Sequence, residues 1–234
     1  MNKIFFYLTF LFVIGSFGGW LIELIFRKLA HKKWINPGFL SGPYLPIYGL
    51  GLIILYLIAI IDLPIESVFL VTMIKIFSVG FAMTLVEYVA GIVFIKTMGI
   101  KLWDYSKRWG NVNGVICPLF SVIWSIVGAI YLLYFHNIVL ILIGNLSNSI
   151  YYPFFIGIFF GFILWDLFST LEISSIFKKF SKDSKVVLGY EAFKLKERNY
   201  YTENKIKYNF LKPLRMDKNI TNDLLIKYLE EVGR

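Results

Sequence analysis

Three acidic residues, Glu23, Glu87 and Asp166, stand inside apolar runs long enough to cross a lipid bilayer. A carboxylate in hydrocarbon is costly, so each marks a place where a proton, a cation or a polar substrate group is handled. Glu23 and Arg27 are spaced i, i+4 and share one helical face with Trp20. Thr84, Glu87, Tyr88 and Gly91 form a second stripe, and Asn113, Cys117, Ser121 and Trp124 a third. Gly161, Trp165 and Ser169 form a fourth, with Asp166 beside them. Small residues in such stripes let helices approach closely. Two carboxylates can do acid–base chemistry, bind a cation or relay a proton, and the sequence does not separate these uses.

Each candidate has a structural alternative. Glu23 with Arg27 reads equally as an ion pair at the membrane edge. Lys75 lies near the end of its span and can snorkel. Cys117 is more often a small buried apolar residue than a nucleophile. Trp and Tyr near span ends are ordinary interface anchors.

The elements that must position these groups follow from composition. The chain has 234 residues, 58% of them hydrophobic and 19% aromatic, with a mean hydropathy of +0.68. This predicts an all-α polytopic membrane protein, a bundle of about five transmembrane helices. The spans are expected at about 4–26, 45–61, 68–95, 113–135 and 151–171. "IVLILIGNL" (Ile138 to Leu146) is too short to cross alone and reads as interfacial or re-entrant, with six spans the alternative if it inserts fully. The first apolar run lacks a small-residue cleavage site, so it is expected to be retained as a helix. The lone Cys117 excludes an internal disulfide, and two histidines at no metal-ligand spacing leave no metal site to propose.

The net charge is +9. Residues 173–234 carry fourteen Lys and Arg against eight Asp and Glu. Most of the remainder sits in two loops, with Arg27, Lys28, Lys32 and Lys33 in one and Lys96, Lys101, Lys107 and Arg108 in the other. That distribution is cytoplasmic loop charge and not a nucleic-acid footprint. It predicts a multi-pass protein of the cell membrane with its N-terminus outside and its C-terminus in the cytoplasm. The expected division is a transmembrane domain over 1–176 and a basic cytoplasmic tail over 177–234. Near its end, "TNDLLIKYLEEV" reads as a capped amphipathic helix presenting Leu225, Tyr228, Leu229 and Val232.

"NPGFLSGPYLPIYG" (Asn36 to Gly49) holds three Pro and three Gly and no charge. It cannot be regular helix throughout, yet it is too apolar for a solvated loop. Irregular backbone at membrane depth is tolerated where it is buried in protein or lines a cavity. This Pro/Gly-rich segment before the second span is therefore expected to close a polar pocket in the cytoplasmic leaflet. No nucleophile elbow, Walker motif, HExxH or Gly-rich dinucleotide loop is present.

The run "GGWLIELIFRKLAHKKWINPGFLSGPYLPIYGLG", followed by "TLVEYVAG", "LWDYS" and "NVNGVICP", resembles the CmpB-like family of type IV ABC-transporter permeases. The resemblance covers about Gly18 to Trp124 and implies a multispanning transport protein. It places the family's motif residues at Trp20, Glu23, Arg27, Asn36, Gly38, Gly42, Pro43, Pro46, Tyr48 and Gly49. They continue with Glu87, Tyr88, Gly91, Trp103, Asp104, Tyr105, Asn113, Gly114 and Cys117. The Glu-Ala-Ala…Gly coupling loop of familiar importer permeases is not matched, since "EAFKLKE" lacks the second Ala and the Gly. The ATPase partner is expected as a separate chain.

The candidate substrate-contacting set is thus Glu23, Arg27, Asn36, Tyr48, Glu87, Tyr88, Asp104, Asn113 and Asp166. No catalytic residue, metal or cofactor is assigned. In "LWDYS", Trp103 and Tyr105 are expected at the headgroup level with Lys101, Lys107 and Arg108 on anionic lipid phosphate, and Asp104 as a pocket ligand or helix cap. Membrane lipid is therefore an expected partner, nucleic acid is not, and self-association as a homo-oligomer remains open. Three functions compete: a transporter permease subunit, a membrane-embedded enzyme acting on a lipid or lipid-linked substrate at the inner leaflet, and a structural subunit.

Overall fold

The computed structural model of the chain is almost wholly helical and describes residues 3–146, 151–204 and 218–232. The order is α1 (Lys3–His31), α2 (Pro46–Ile60), α3 (Val68–Met98), β1 (Ile100–Lys101), α4 (Pro118–Ile130), a π-turn (Tyr131–Phe135), α5 (His136–Leu146), α6 (Tyr152–Ser184), β2 (Leu188–Gly189), α7 (Tyr190–Glu203) and α8 (Lys218–Val232). Four helical stretches among the described residues are long and apolar enough to cross a membrane: 4–31, 68–98, 118–145 and 152–184. The fifteen-residue α2 is equally apolar but spans only about 22 Å, less than the hydrocarbon thickness. In the last three long helices the most apolar window is only 17% buried, so most of its side chains face outward, as lipid-facing residues do.

The fourth span differs from expectation. Ile138–Leu146 is neither interfacial nor re-entrant but continues the helix that Pro118 begins. The polar His136 does not break it, because the chain widens into the π-turn and the buried Tyr131 hydroxyl lies 3.2 Å from His136 Nδ1. The start also moves. Asn113 is not on the helix; it sits at φ 55 ahead of Gly114 at φ 67, and the helix begins at Pro118 with Cys117 as its N-cap.

The chain forms two compact units, the first being residues 1–19, 46–89 and 105–161, the second 20–45, 90–104 and 162–234. The first unit holds two buried apolar clusters, Leu55, Val79, Met83 and Tyr131, and Leu11, Tyr56 and Ile143. Its α1 and α2 touch backbone to backbone: a Cβ on Gly49 would lie 2.6 Å from the Phe12 carbonyl, and one on Gly15 would lie 2.8 Å from the Tyr48 carbonyl. Lys75 donates to the Ala59 carbonyl at 2.6 Å, satisfying the C-terminal end of α2.

The second unit is organised around aromatic side chains. Phe177 and Phe193 meet edge-on at 5.4 Å, and Phe39 touches both Phe94 and Tyr190. The short strands β1 and β2 pair in parallel, Ile100 with Leu188 and Lys101 with Gly189. In α8, Leu225 and Tyr228 are buried as the amphipathic reading expects, and the Tyr228 hydroxyl accepts from the Gly189 amide at 3.1 Å. The side chain of Val232 lies outside the described residues.

Candidate functional site

Glu87 is the centre of the first unit's polar cluster. It is 6% exposed. Its Oε1 accepts from the Tyr105 hydroxyl at 3.0 Å, and its Oε2 accepts from the Trp124 indole N–H at 3.3 Å. Helical spacing explains the meeting of α3 with α4. Thr84 is one turn before Glu87 and donates to Ser121 at 2.8 Å, and Ser121 is one turn before Trp124. Gly80 lets the helices close at this level, since a Cβ there would collide with Ser125.

Two rings extend the cluster. Tyr48 packs edge-on against Trp124 at 6.0 Å, and Tyr105 stacks on Phe120 at 4.2 Å with an 11° tilt. Asn113 donates to the Tyr88 hydroxyl at 3.2 Å. Tyr48, Tyr88, Tyr105 and Trp124 are all partly exposed around the buried carboxylate. Burial, with the Glu87 carboxylate beside it, holds the Tyr105 hydroxyl well above the usual phenol range, so it stays a donor.

The loop that delivers Tyr105 is held by Asn111. Its amide donates to the Ser106 and Arg108 carbonyls at 3.1 and 2.9 Å, and its oxygen accepts from the Gly114 amide at 3.1 Å. Tyr105 N–H in turn donates to the Gly114 carbonyl at 2.8 Å. Sequence reasoning placed Tyr105 at the headgroup level and left it, with Asn111, outside the candidate set. The quoted "NVNG" was the available signal, because Asn and Gly tolerate the left-handed backbone that turns this loop.

The other candidates lie in the second unit. Asp166 Oδ2 accepts from the Gly42 amide at 2.8 Å and from the Tyr44 hydroxyl at 2.7 Å, while Thr170 donates to Oδ1 at 3.3 Å. Asn36 is fully buried. Its oxygen accepts from Trp20 Nε1 at 2.9 Å and the Gly38 amide at 3.2 Å, and its amide donates to the Ser41 carbonyl at 2.9 Å. Lys194, on α7, donates to the backbone carbonyls of Asn36 and Gly38 and lies over the Tyr190 ring at 4.5 Å. The irregular segment is therefore a buried loop whose polar backbone groups are met by the Asn36 side chain and by side chains from α6 and α7, while α1 holds Asn36 itself through Trp20.

Arg27 bonds Glu23 at 3.1 Å, as the i, i+4 spacing expects, and also reaches Glu191 of α7 at 3.3 Å. His31 lies 2.7 Å from the same Glu191 oxygen. Asp104 pairs with Lys101 at 3.2 Å on an exposed turn. Burial draws the Lys194 amine down to about 7 and pushes the neighbouring Glu197 carboxyl up to about 8. The structure thus gathers Glu87, Tyr88, Asn113 and Tyr48 in one unit and Glu23, Arg27, Asn36, Asp104 and Asp166 in the other. Sequence reasoning missed Glu191, Lys194 and Glu197, which lie in the basic tail and carry no motif. Among the described residues no group of three His, Cys, Asp or Glu side chains comes together that could hold a metal ion.

Apolar helices of membrane-spanning length, with a buried acid inside one of them, define an integral multi-pass membrane protein. Residues 10–171 match the model of the family described as "Putative ABC-transporter type IV", and the chain belongs to that family. No curated protein and no solved structure matches the chain.

Proposed function

We propose that this chain is the permease subunit of an ABC-type transporter, that its ATPase comes on a separate chain, and that Glu87 contacts the transported solute. The observation that carries this reading is the state of the Glu87 carboxylate. It is buried within an apolar span, and both oxygens are held by neutral donors. Among the described residues no cation pairs with it, whereas Glu23 is bonded to Arg27 and the neutral donors on Asp166 come from the loop that it fastens. The family supports the transport class. The basic loops at Arg27–Lys33 and Lys96–Arg108 support a cytoplasmic side on which the site opens, the ATPase docks and anionic lipid is met.

The test is purification from native cells in mild detergent, followed by solute uptake in cells carrying Glu87→Gln. The expected result is a stoichiometric ATPase in the purified complex, and uptake reduced at least tenfold with unchanged protein abundance. Uptake unaffected by Glu87→Gln, or a complex without any ATPase, overturns the reading.

A further inference from the structure

The outer face of α6 carries an apolar stripe that runs without a break into a basic one. We infer that this row binds an anionic glycerophospholipid, with an acyl chain along Leu164, Phe168 and Leu171 and the phosphate met by Lys178, Lys179 and Lys182. The row is separate in sequence from the two basic loops, and the inference does not depend on the permease reading.

Helical spacing comes first. From Leu164 the steps to Phe168, Leu171, Ser175, Lys178 and Lys182 are four, three, four, three and four, which keeps all six on one face, with Lys179 at its edge. The apolar three and the basic three are all exposed. The opposite face is fixed by packing. Asp166, Thr170, Ser174 and Phe177 are buried, and Phe177 lies against Phe193 and Tyr190. One turn further on, a Cβ on Gly99 would collide with Ser181. The helix cannot turn its lysines inward without breaking these contacts.

Depth comes second. The thirty-three residues of α6 extend about 50 Å, against a hydrocarbon thickness of about 30 Å, so one end stands beyond the hydrocarbon. Lys178 follows Leu171 by two turns, about 10 Å, and Lys182 by three, about 16 Å. Side chains on a helix lean toward its N-terminus, which here is the direction of the apolar stripe. The three amines therefore reach back toward the headgroups while their stems lie along the helix.

Charge comes third. Among the described residues no acid pairs with Lys178, Lys179 or Lys182. Other lysines of this unit are used inside the protein: Lys33 on Asn199, Lys101 on Asp104 and Lys194 on the Asn36 carbonyl. Asp183 is the one acid between Lys178 and Lys185. A lipid phosphate supplies the missing counter-charge, and a zwitterionic headgroup would bring a cation of its own beside the row. An acidic soluble protein could meet the lysines but not the apolar stripe that continues them, whereas a phospholipid has both parts in that order.

The test is native mass spectrometry of the full-length protein in mild detergent, with dioleoyl-phosphatidylglycerol and dioleoyl-phosphatidylcholine added at equal concentration. The expected result is a preference of about tenfold for phosphatidylglycerol, falling as the ammonium acetate concentration is raised. A basic residue near an anionic lipid surface is worth roughly fivefold, so Lys178→Gln, Lys179→Gln and Lys182→Gln together should remove most of that preference. Arg at the same three positions should keep it, which separates lost charge from a misfolded chain. Lys227→Gln, at an exposed position on α8, should leave it unchanged. No preference in the wild type, or a preference that the triple Gln variant retains, overturns the inference. A triple variant that retains the preference but loses a co-purifying protein also overturns it, and assigns the row to a protein partner.

Discussion

The Tyr44 hydroxyl donates to Asp166 Oδ2 at 2.7 Å, and the same oxygen accepts the Gly42 amide at 2.8 Å. One carboxylate on α6 thus fastens the Pro/Gly-rich segment at two points two residues apart. An acid inside a span is here fully used in holding a loop. Asp166→Ala leaves a buried amide and hydroxyl without an acceptor, and the expected loss of stability is about 2–4 kcal/mol. Asp166→Asn keeps an acceptor oxygen and should lose about half as much. Thermal unfolding in detergent decides. A variant with the wild-type melting temperature but no transport would move Asp166 from the loop to the solute path.

Asn36 fills a comparable role within the loop. Asn36→Asp removes the amide that donates to the Ser41 carbonyl and adds a buried negative charge. It should express at a small fraction of wild type by size-exclusion fluorescence. Asn36→Ala should cost about 2–4 kcal/mol, from the lost Trp20 and Gly38 contacts together with the cavity.

Lys194 and Glu197 give the second unit a pH dependence. Glu197 is raised from 4.5 to about 8, so it holds its proton better folded than unfolded, and its contribution fades as pH climbs from about 5 to 8. Lys194 is lowered from 10.5 to about 7, so its contribution fades as pH falls from about 10 to 7. The two trends meet near pH 7–8, where attachment of α7 should be weakest. Hydrogen exchange of α7 amides across pH 5–10 should show this minimum. Glu197→Gln should flatten the acid side, and Lys194→Met the alkaline side.

Gly49→Ala should destabilise by about 1–3 kcal/mol, because the added methyl lies 2.6 Å from the rigid Phe12 carbonyl. The Ser16 hydroxyl also lies against that position, but Ser16→Ala in the same chain should not rescue the variant, since the Phe12 carbonyl stays in place. Full rescue in thermal unfolding would show that the Ser16 hydroxyl alone sets the α1–α2 distance.

The proposed orientation is open to direct labelling. The chain has a single native cysteine, Cys117, and it is buried. Trp109→Cys introduces a thiol at a position 87% exposed in the loop ahead of α4. A membrane-impermeant maleimide should label it in inside-out vesicles and not in intact cells, with Asp62→Cys giving the reverse. The opposite pattern inverts the topology.

Helix positions and class were legible in the sequence because apolar length is a local, additive property. The stripes of α3 and α4 were legible for a similar reason, as residues three and four apart share a face. Their contact partners were less so. Tyr105 reaches Glu87 because the chain turns back after α3 at Gly99 and the following Asn111–Gly114 turn holds the Tyr105 amide, and that path is a matter of backbone dihedrals. The break expected after Phe135 did not occur because a π-turn absorbed His136, and such turns have no composition of their own. Asn36 was recognised within its motif, yet its neighbour Lys194 is 158 residues away in a stretch that resembles any basic tail.

That distance has a consequence in time. During synthesis the Asn36 carbonyl emerges long before its partner amine, and at about 5–20 residues per second the wait is roughly 10–30 s. For that interval the Asn36 carbonyl lacks the side-chain donor that meets it in the folded protein. A chain broken off before α7 keeps it so indefinitely. A copy that ends before α7 therefore differs from a full one at this buried loop, which lacks the Lys194 donor.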